Sequence, residues 1–235
     1  MAPKVLIVLT SADKIPANGS PTGWYLPEFA HPWAVLHEKT ELTIASPKGG
    51  EAPLDQASVE MFKSDATSVD FLNNHKDLWT NTVKLADVAN RVGEYDAIFY
   101  VGGHGPMFDL HYDPVSLGLI QAFAAAKKPV AAVCHGPTVF LRATTAQGEP
   151  LLSGATVTGF SNEEEDQAQK TQFMPYMLET ELKKINNVKY VKADQAWGEK
   201  VVVSQVAGTG SPLITGQNPA SATGVGKEIL KALGL

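Results

Sequence analysis

A single cysteine, Cys134, stands in 235 residues. That excludes an intrachain disulfide and a zinc site built from thiolates alone. A lone thiol suits a reducing compartment, so a cytoplasmic location is expected, with the nucleus equally compatible. Basic residues are scarce too: Lys and Arg total 19 against 25 Asp and Glu, a formal net charge of −6. A nucleic-acid partner needs clustered positive charge to displace counterions from phosphates, and no such stripe exists. No apolar run approaches the roughly 20 residues of a membrane span, and residues 5–9 are too short a run for a secretory leader. Neither nucleic acid nor membrane is therefore expected as a partner. Histidine is absent beyond position 135. Papain-type enzymes, glutamine amidotransferases and α/β-hydrolases carry their base histidine downstream of the nucleophile. A nucleophile at Cys134 can follow none of those orders.

What is present is a chain 44% hydrophobic and 19% charged, long enough to bury roughly 70% of its unfolded surface. Residues 5–9, 42–45, 97–101 and 129–133 are short apolar runs, and most lack polar alternation, as strands covered on both faces do. Further strands are expected at 155–158, 190–191 and 201–203, and helices over 115–126, 173–185 and 220–233. This alternation predicts an α/β fold, a three-layer sandwich with a mostly parallel central sheet. No repeat or low-complexity linker divides the chain. One domain over 1–235 is expected, with an elaborated insertion around 51–94. Asn18-Gly19-Ser20 has the form of a glycosylation acceptor and reads better as a turn.

Ligands of open α/β sheets lie beyond the carboxyl ends of the strands. Two loops of that kind pair Gly with His: Gly102-Gly103-His104-Gly105-Pro106 and Cys134-His135-Gly136-Pro137. Cys134 sits where a strand ends and a helix is expected near Pro137. That is the setting of a nucleophile elbow whose helix N-terminus would lower the thiol pKa. The alternative is a small core residue, the usual fate of a free cysteine. If Cys134 is a nucleophile, its base is His135 or the His104 loop. The glycine turn could aim N–H groups at an oxyanion, together with that of His135. As a phosphate cradle it lacks the Walker spacing and lysine. His104 could equally pack against the sheet edge. His111 with Asp109 and Asp113 matches no familiar metal spacing and reads as a solvated loop, so neither metal nor cofactor is expected. Trp24, Trp33 and Trp197 could line a pocket or fill the core.

The segment Ala131-Ala132-Val133-Cys134-His135-Gly136-Pro137, with Gly-Gly-His-Gly-Pro upstream, resembles the DJ-1/PfpI superfamily. Within it, the chain is most similar to the fungal heat-shock protein 31 or glutathione-independent glyoxalase III branch. Residues 4–11, Thr22-Gly23-Trp24-Tyr25-Leu26-Pro27-Glu28, Thr158-Gly159-Phe160-Ser161-Asn162 and residues 213–221 carry the resemblance over nearly the whole chain. It implies a flavodoxin-like sandwich and a homodimer. It also implies Cys134 as nucleophile, His135 as its base and Glu28 as an acid sharing a proton with the thiol. A further acid from Glu163-Glu164-Glu165 would orient His135, and alignment on Gly-Phe favours Glu165. The implied reaction converts methylglyoxal and water to D-lactate through a hemithioacetal on Cys134, its oxyanion on the N–H groups of Gly103 and His135. Methylglyoxal or glyoxal would be the dicarbonyl substrate. Alternatives are a stress-response holdase, a redox sensor, or a deglycase or amidase using the same residues.

Overall fold

A computed structural model describes residues 2–235. Its strands are β1 (Lys4–Val8), β2 (Glu41–Ser46), β3 (Val83–Lys84), β4 (Ala97–Tyr100), β5 (Val130–Val133), β6 (Thr156–Val157), β7 (Lys189–Tyr190), β8 (Val201–Gln205) and β9 (Pro212–Gly216). Seven of them form one sheet in the order β3-β2-β1-β4-β5-β9-β8. All pairings in it are parallel except β8 with β9, so the mostly parallel central sheet is as expected. β6 and β7 pair separately as a small parallel ribbon. The unbroken apolar runs form the middle of the sheet. Every residue of β4 and β5 is buried, which requires cover on both faces.

The helices are α1 (Leu26–Leu36), α2 (Gln56–Met61), α3 (Ala66–Asn74), α4 (Asp77–Thr80), α5 (Leu85–Val88), α6 (Pro114–Ala125), α7 (Asn162–Gln167), α8 (Leu178–Lys184) and α9 (Ala222–Ala232). α9 packs on β5 and β9 and also on α1, while α6 packs on β4 and β5. No helix among the described residues is long and apolar enough to cross a membrane.

Several elements differ from the sequence expectation. α1 carries Pro27 in its first turn, where proline is tolerated, and Pro32 in its interior, where a proline removes one ladder bond. The helix survives because packing against α3 and α9 supplies what local propensity lacks. Its first turn has no cap from its own chain segment; Ser58 Oγ of α2 accepts the Leu26 N–H at 3.0 Å. The stretch expected to be one helix over 173–185 is a 3₁₀ turn at Thr171–Phe173 followed by α8. The helix expected after Cys134 is a 3₁₀ turn over Gly136–Phe140. The Asn18 side chain accepts from Ser20 in a turn.

Residues 51–94 carry α2 to α5 and β3. They join the main core through Phe71, whose ring lies 4.8 Å from Phe29 and 5.4 Å from Trp79. Trp24 completes that aromatic group, 5.6 Å from Phe29. Trp24 is therefore a core residue. Trp33 is stacked on His37 on one side and set against His75 on the other, away from any site described below.

The strand order reverses beside β1, with β2 on one side and β4 on the other. A crevice opens beyond the carboxyl ends of strands at such a reversal. α1 follows β1, the glycine turn follows β4, and Cys134 follows β5.

Candidate active site

Cys134 directly follows β5 and lies in the left-handed region, at φ 61°. A non-glycine residue held there stores strain, and such residues gather at functional sites. Two backbone bonds impose the conformation: Cys134 N–H donates to Gly216 O of β9, and Cys134 C=O accepts from Phe160, both at 2.9 Å. The thiol consequently faces a cavity of about 250 Å³ that is also lined by Tyr25, Glu28, Gly103, His104, His135 and Trp197.

Glu28 reaches the thiol from the first turn of α1 and is wholly buried. Neither of its carboxyl oxygens makes a hydrogen bond of good geometry among the described residues, but the Cys134 thiol and the Gly102 and Gly103 N–H groups lie close around them. A Cβ placed on Gly102 would lie 2.4 Å from Glu28 Oε2 and 2.8 Å from the Cβ of Cys134, so the carboxyl fills the gap beside the cysteine that a bare glycine leaves. Burial pushes the Glu28 pKa well up. Burial, and then the charge of Glu28, push the thiol up as well. Two anions cannot share so dry a space. Glu28 holds the proton, and a neutral carboxyl no longer repels a thiolate but can donate to it. Of the two expected influences on the thiol, the helix N-terminus is missing, since a five-residue 3₁₀ turn offers little dipole, while the acid expected beside it is there.

On the other side of the sulfur, His135 Nδ1 lies 3.4 Å from Cys134 Sγ, and His135 Nε2 lies 2.6 Å from Glu165 Oε2. Burial and the nearby His104 hold the His135 pKa below its usual value. Burial alone would raise Glu165, but His135 and the hydrogen bonds from His104 and His135 outweigh it and hold the carboxylate ionised. An ionised carboxylate only accepts, so the proton of a neutral His135 sits on Nε2. Its Nδ1 lone pair then faces the thiol, which is the tautomer a base requires.

The three consecutive glutamates have three different fates. Glu163 lies on the surface 3.3 Å from Lys192. Glu164 forms a capping box with Ser161 at the start of α7. One of its oxygens also accepts from Gln217, Asn218 and the backbone of Trp197. Only Glu165 faces the imidazoles. The pattern Ser161-x-x-Glu164 was the readable signal for this register, since a capping box fixes which glutamate turns back.

The turn after β4 brings two more groups to the cavity. Gly103 has φ +90°, and its N–H lies near both the sulfur of Cys134 and the carboxyl of Glu28. The His104 ring lies 4.2 Å from that of His135. Tyr25, Asp55, Met61, Gln167 and Lys170 also line the cavity; nothing in their spacing along the chain marked them in advance. Trp197 is another left-handed residue, at φ 65°, and its half-exposed ring covers Phe160.

The stretch expected to be a solvated loop at Asp109–Asp113 is mostly occupied by structural duties. Asp109 is bonded to Thr10 and the Ser11 N–H, Asp113 caps α6, and His111 is buried. His104, His135 and Glu165 come close enough together to hold a cation. Both imidazole Nε2 atoms, however, lie 2.6–2.7 Å from the carboxylate, as N–H donors do.

Comparison with known proteins follows from this geometry. The chain is 29% identical to glyoxalase 3 of Candida albicans over 97% of its own length and 98% of the relative's. It is 28% identical to the glutathione-independent glyoxalase HSP31 of Saccharomyces cerevisiae over 99% of each chain. Its fold superimposes on the crystal structure of Candida albicans glyoxalase III with a TM-score of 0.82 and 26% identity, covering 98% of this chain and 97% of the other. The Rapid Encystment Protein 24 KDa of Francisella tularensis superimposes with a TM-score of 0.89 and 33% identity over 98% of this chain and 99% of the other. The match to the family itself runs over residues 23–232, taking in α1, both glycine-histidine loops and α9. A strained cysteine between a buried acid and a histidine thus stands within a chain that belongs to the DJ-1/PfpI family.

Proposed function

We propose that the chain is a glutathione-independent glyoxalase that converts a small 2-oxoaldehyde such as methylglyoxal, with water, to the 2-hydroxy acid D-lactate. The observation that carries this reading is the setting of Cys134 between a wholly buried Glu28 carboxyl on one side and His135 Nδ1 on the other. His135 takes the thiol proton, and the thiolate adds to the aldehyde carbon C1, forming a hemithioacetal. The oxyanion rests on the N–H groups of Gly103 and His135. A base removes the C1 hydrogen as a proton, leaving an enediol, and an acid returns a proton to C2. Glu28 and His135 are the two groups on hand for these transfers. C1 is thereby oxidised to a thioester while C2 is reduced from ketone to alcohol, with no outside oxidant. Water then cleaves the thioester, releasing the acid and the thiol. A cavity of about 250 Å³ admits a molecule of this size together with water.

The same residues serve the deglycase reading, in which the carbonyl arrives attached to an amine or thiol. The cavity's spare volume leaves room for such an adduct. We further infer that residues 51–94 act as part of the same unit, because α2 supplies Ala57 and Met61 to the cavity. The enzyme would work as a cytoplasmic homodimer, in keeping with its lone reduced thiol; sedimentation velocity checks the dimer.

The test is a D-lactate assay with methylglyoxal in the absence of glutathione. Cys134→Ala is expected to leave no enzymatic rate. A variant forming D-lactate at the wild-type rate overturns the reading. A wild type that releases amine from a glycated peptide but forms no D-lactate from free methylglyoxal replaces it with the deglycase.

A further inference from the structure

Glu165 carries two imidazoles. Its Oε2 lies 2.6 Å from His135 Nε2 and its Oε1 lies 2.7 Å from His104 Nε2. The carboxylate side chain is only 3% exposed, so water cannot stand in for either partner. No neighbouring glutamate can substitute, because Glu163 is turned to Lys192 and Glu164 is consumed by Ser161, Gln217 and Asn218. Without His104, one oxygen of a buried anion would be left unpaired, which is costly, and the carboxylate would be free to rotate off His135.

We propose that His104 is a positioning residue for the reaction proposed above: by holding Glu165 Oε1 it locks the carboxylate, and through it the Nε2–H tautomer of His135 that turns Nδ1 toward Cys134. The inference rests on that reading of Cys134 and His135. It extends it by giving the Gly102–Gly105 turn a second duty besides aiming the Gly103 N–H. The turn is closely packed. A Cβ on Gly105 would lie 2.3 Å from the Thr10 side chain, and Thr10 is itself bonded to the half-buried carboxylate of Asp109 at 2.8 Å. Gly105, next to His104, thus packs on Thr10 just after β1, and the His104 ring stands edge-on to Phe160 at 6.3 Å.

The titratable groups facing this pair of imidazoles are Glu165 and Glu164 on α7, Glu28 on α1, Cys134 after β5, and Tyr25, Asp55 and Lys170 on the cavity wall. Among them Glu165 is the one bonded to both rings. Freed of His104, Glu165 can turn away from His135, and the His135 tautomer is then no longer fixed.

The experiment compares His104→Phe, His104→Gln and Cys134→Ala with the wild type. Phenylalanine keeps the packing against His135 and Phe160 but donates nothing; glutamine can still donate an N–H to Glu165. A wrong histidine tautomer can cost up to about 10⁴-fold in kcat, so His104→Phe is expected to lose at least about tenfold in kcat with little change in KM. His104→Gln is expected to recover most of the plateau rate. Independently of activity, long-range ¹⁵N–¹H correlation of the His135 ring is expected to show the Nε2–H form in the wild type and a mixture in His104→Phe. Wild-type kcat in His104→Phe overturns the proposal. So does a rate loss that glutamine fails to rescue while the His135 tautomer stays fixed. Neither result touches the glyoxalase reading, which stands or falls on Cys134→Ala.

Discussion

Glu28 concentrates the chemistry of the site in one side chain. It is wholly buried, and its carboxyl makes no hydrogen bond of good geometry among the described residues. Burial raises its pKa far above the ordinary glutamate value. Folding therefore takes up a proton that the unfolded chain has released above about pH 4.3. A raised carboxyl pKa stabilises the fold fully below that pH. The contribution is lost as pH rises toward the folded value, at up to about 1.4 kcal/mol per pH unit for one proton. The raised thiol of Cys134 acts in the same sense at higher pH. Urea unfolding of the wild type between pH 5 and 9 should thus show falling stability. Glu28→Gln, neutral at every pH, should show a flatter profile and lose about 10²-fold in kcat, as expected for a missing proton-transfer group. Parallel stability profiles for the two proteins would mean that Glu28 is ionised in the folded state.

Between residues and the whole fold stand the loops that deliver the site. Gly103 belongs to the most crowded of them. Its φ is +90°, and a Cβ there would lie 2.4 Å from Gly23 O and 2.9 Å from Tyr25 N. Gly103→Ala must move the turn off the segment that carries Glu28. Strain of this kind costs about 1–3 kcal/mol, and losing one oxyanion donor costs about 10²–10³ in kcat. The combination is checked by thermal unfolding beside steady-state kinetics; a stable, fully active Gly103→Ala would remove the Gly103 N–H from the mechanism. Sequence legibility divides along the same line. β1, β4 and β5 were readable because strands covered on both faces must be apolar throughout. The two Gly-His loops were readable because a strand end followed by glycine has few other uses. α1 was not, since Pro32 is locally hostile to a helix that α3 and α9 hold from outside. β9 was noticed as a motif rather than as a strand, because its pairing with β5 and β8 is a long-range fact. The partition of Glu163, Glu164 and Glu165 needed the capping box, and the sharing of Glu165 by two histidines needed coordinates. His104 and Glu165 are 61 residues apart, and no local pattern links them.

At the scale of the whole molecule, the question is whether residues 51–94 are an ornament or part of the machine. Trp24 N–H donates to Pro53 O and Asp55 N–H donates to Trp24 O, both at 2.9 Å. The segment therefore holds the chain just before Glu28 from outside, while Tyr25 N–H reaches back to Gly102 O at 3.3 Å. Phe71 pins the segment to α1 through its contacts with Phe29 and Trp24. Phe71→Ala should cost about 3–5 kcal/mol, the usual range for an aromatic removed from a core. If the chain unfolds as one unit, the urea transition should shift as a whole, with fluorescence and circular dichroism coincident. Native-state hydrogen exchange should show where the loss begins. The amides of Trp24 and Asp55 should lose protection before those of β4 and β5, and kcat should fall at temperatures where the sheet is intact. Two separate transitions, with the sheet and the kcat of the folded enzyme unaffected, would instead make residues 51–94 an independent cover over a site that β1, β4, β5 and α1 hold by themselves.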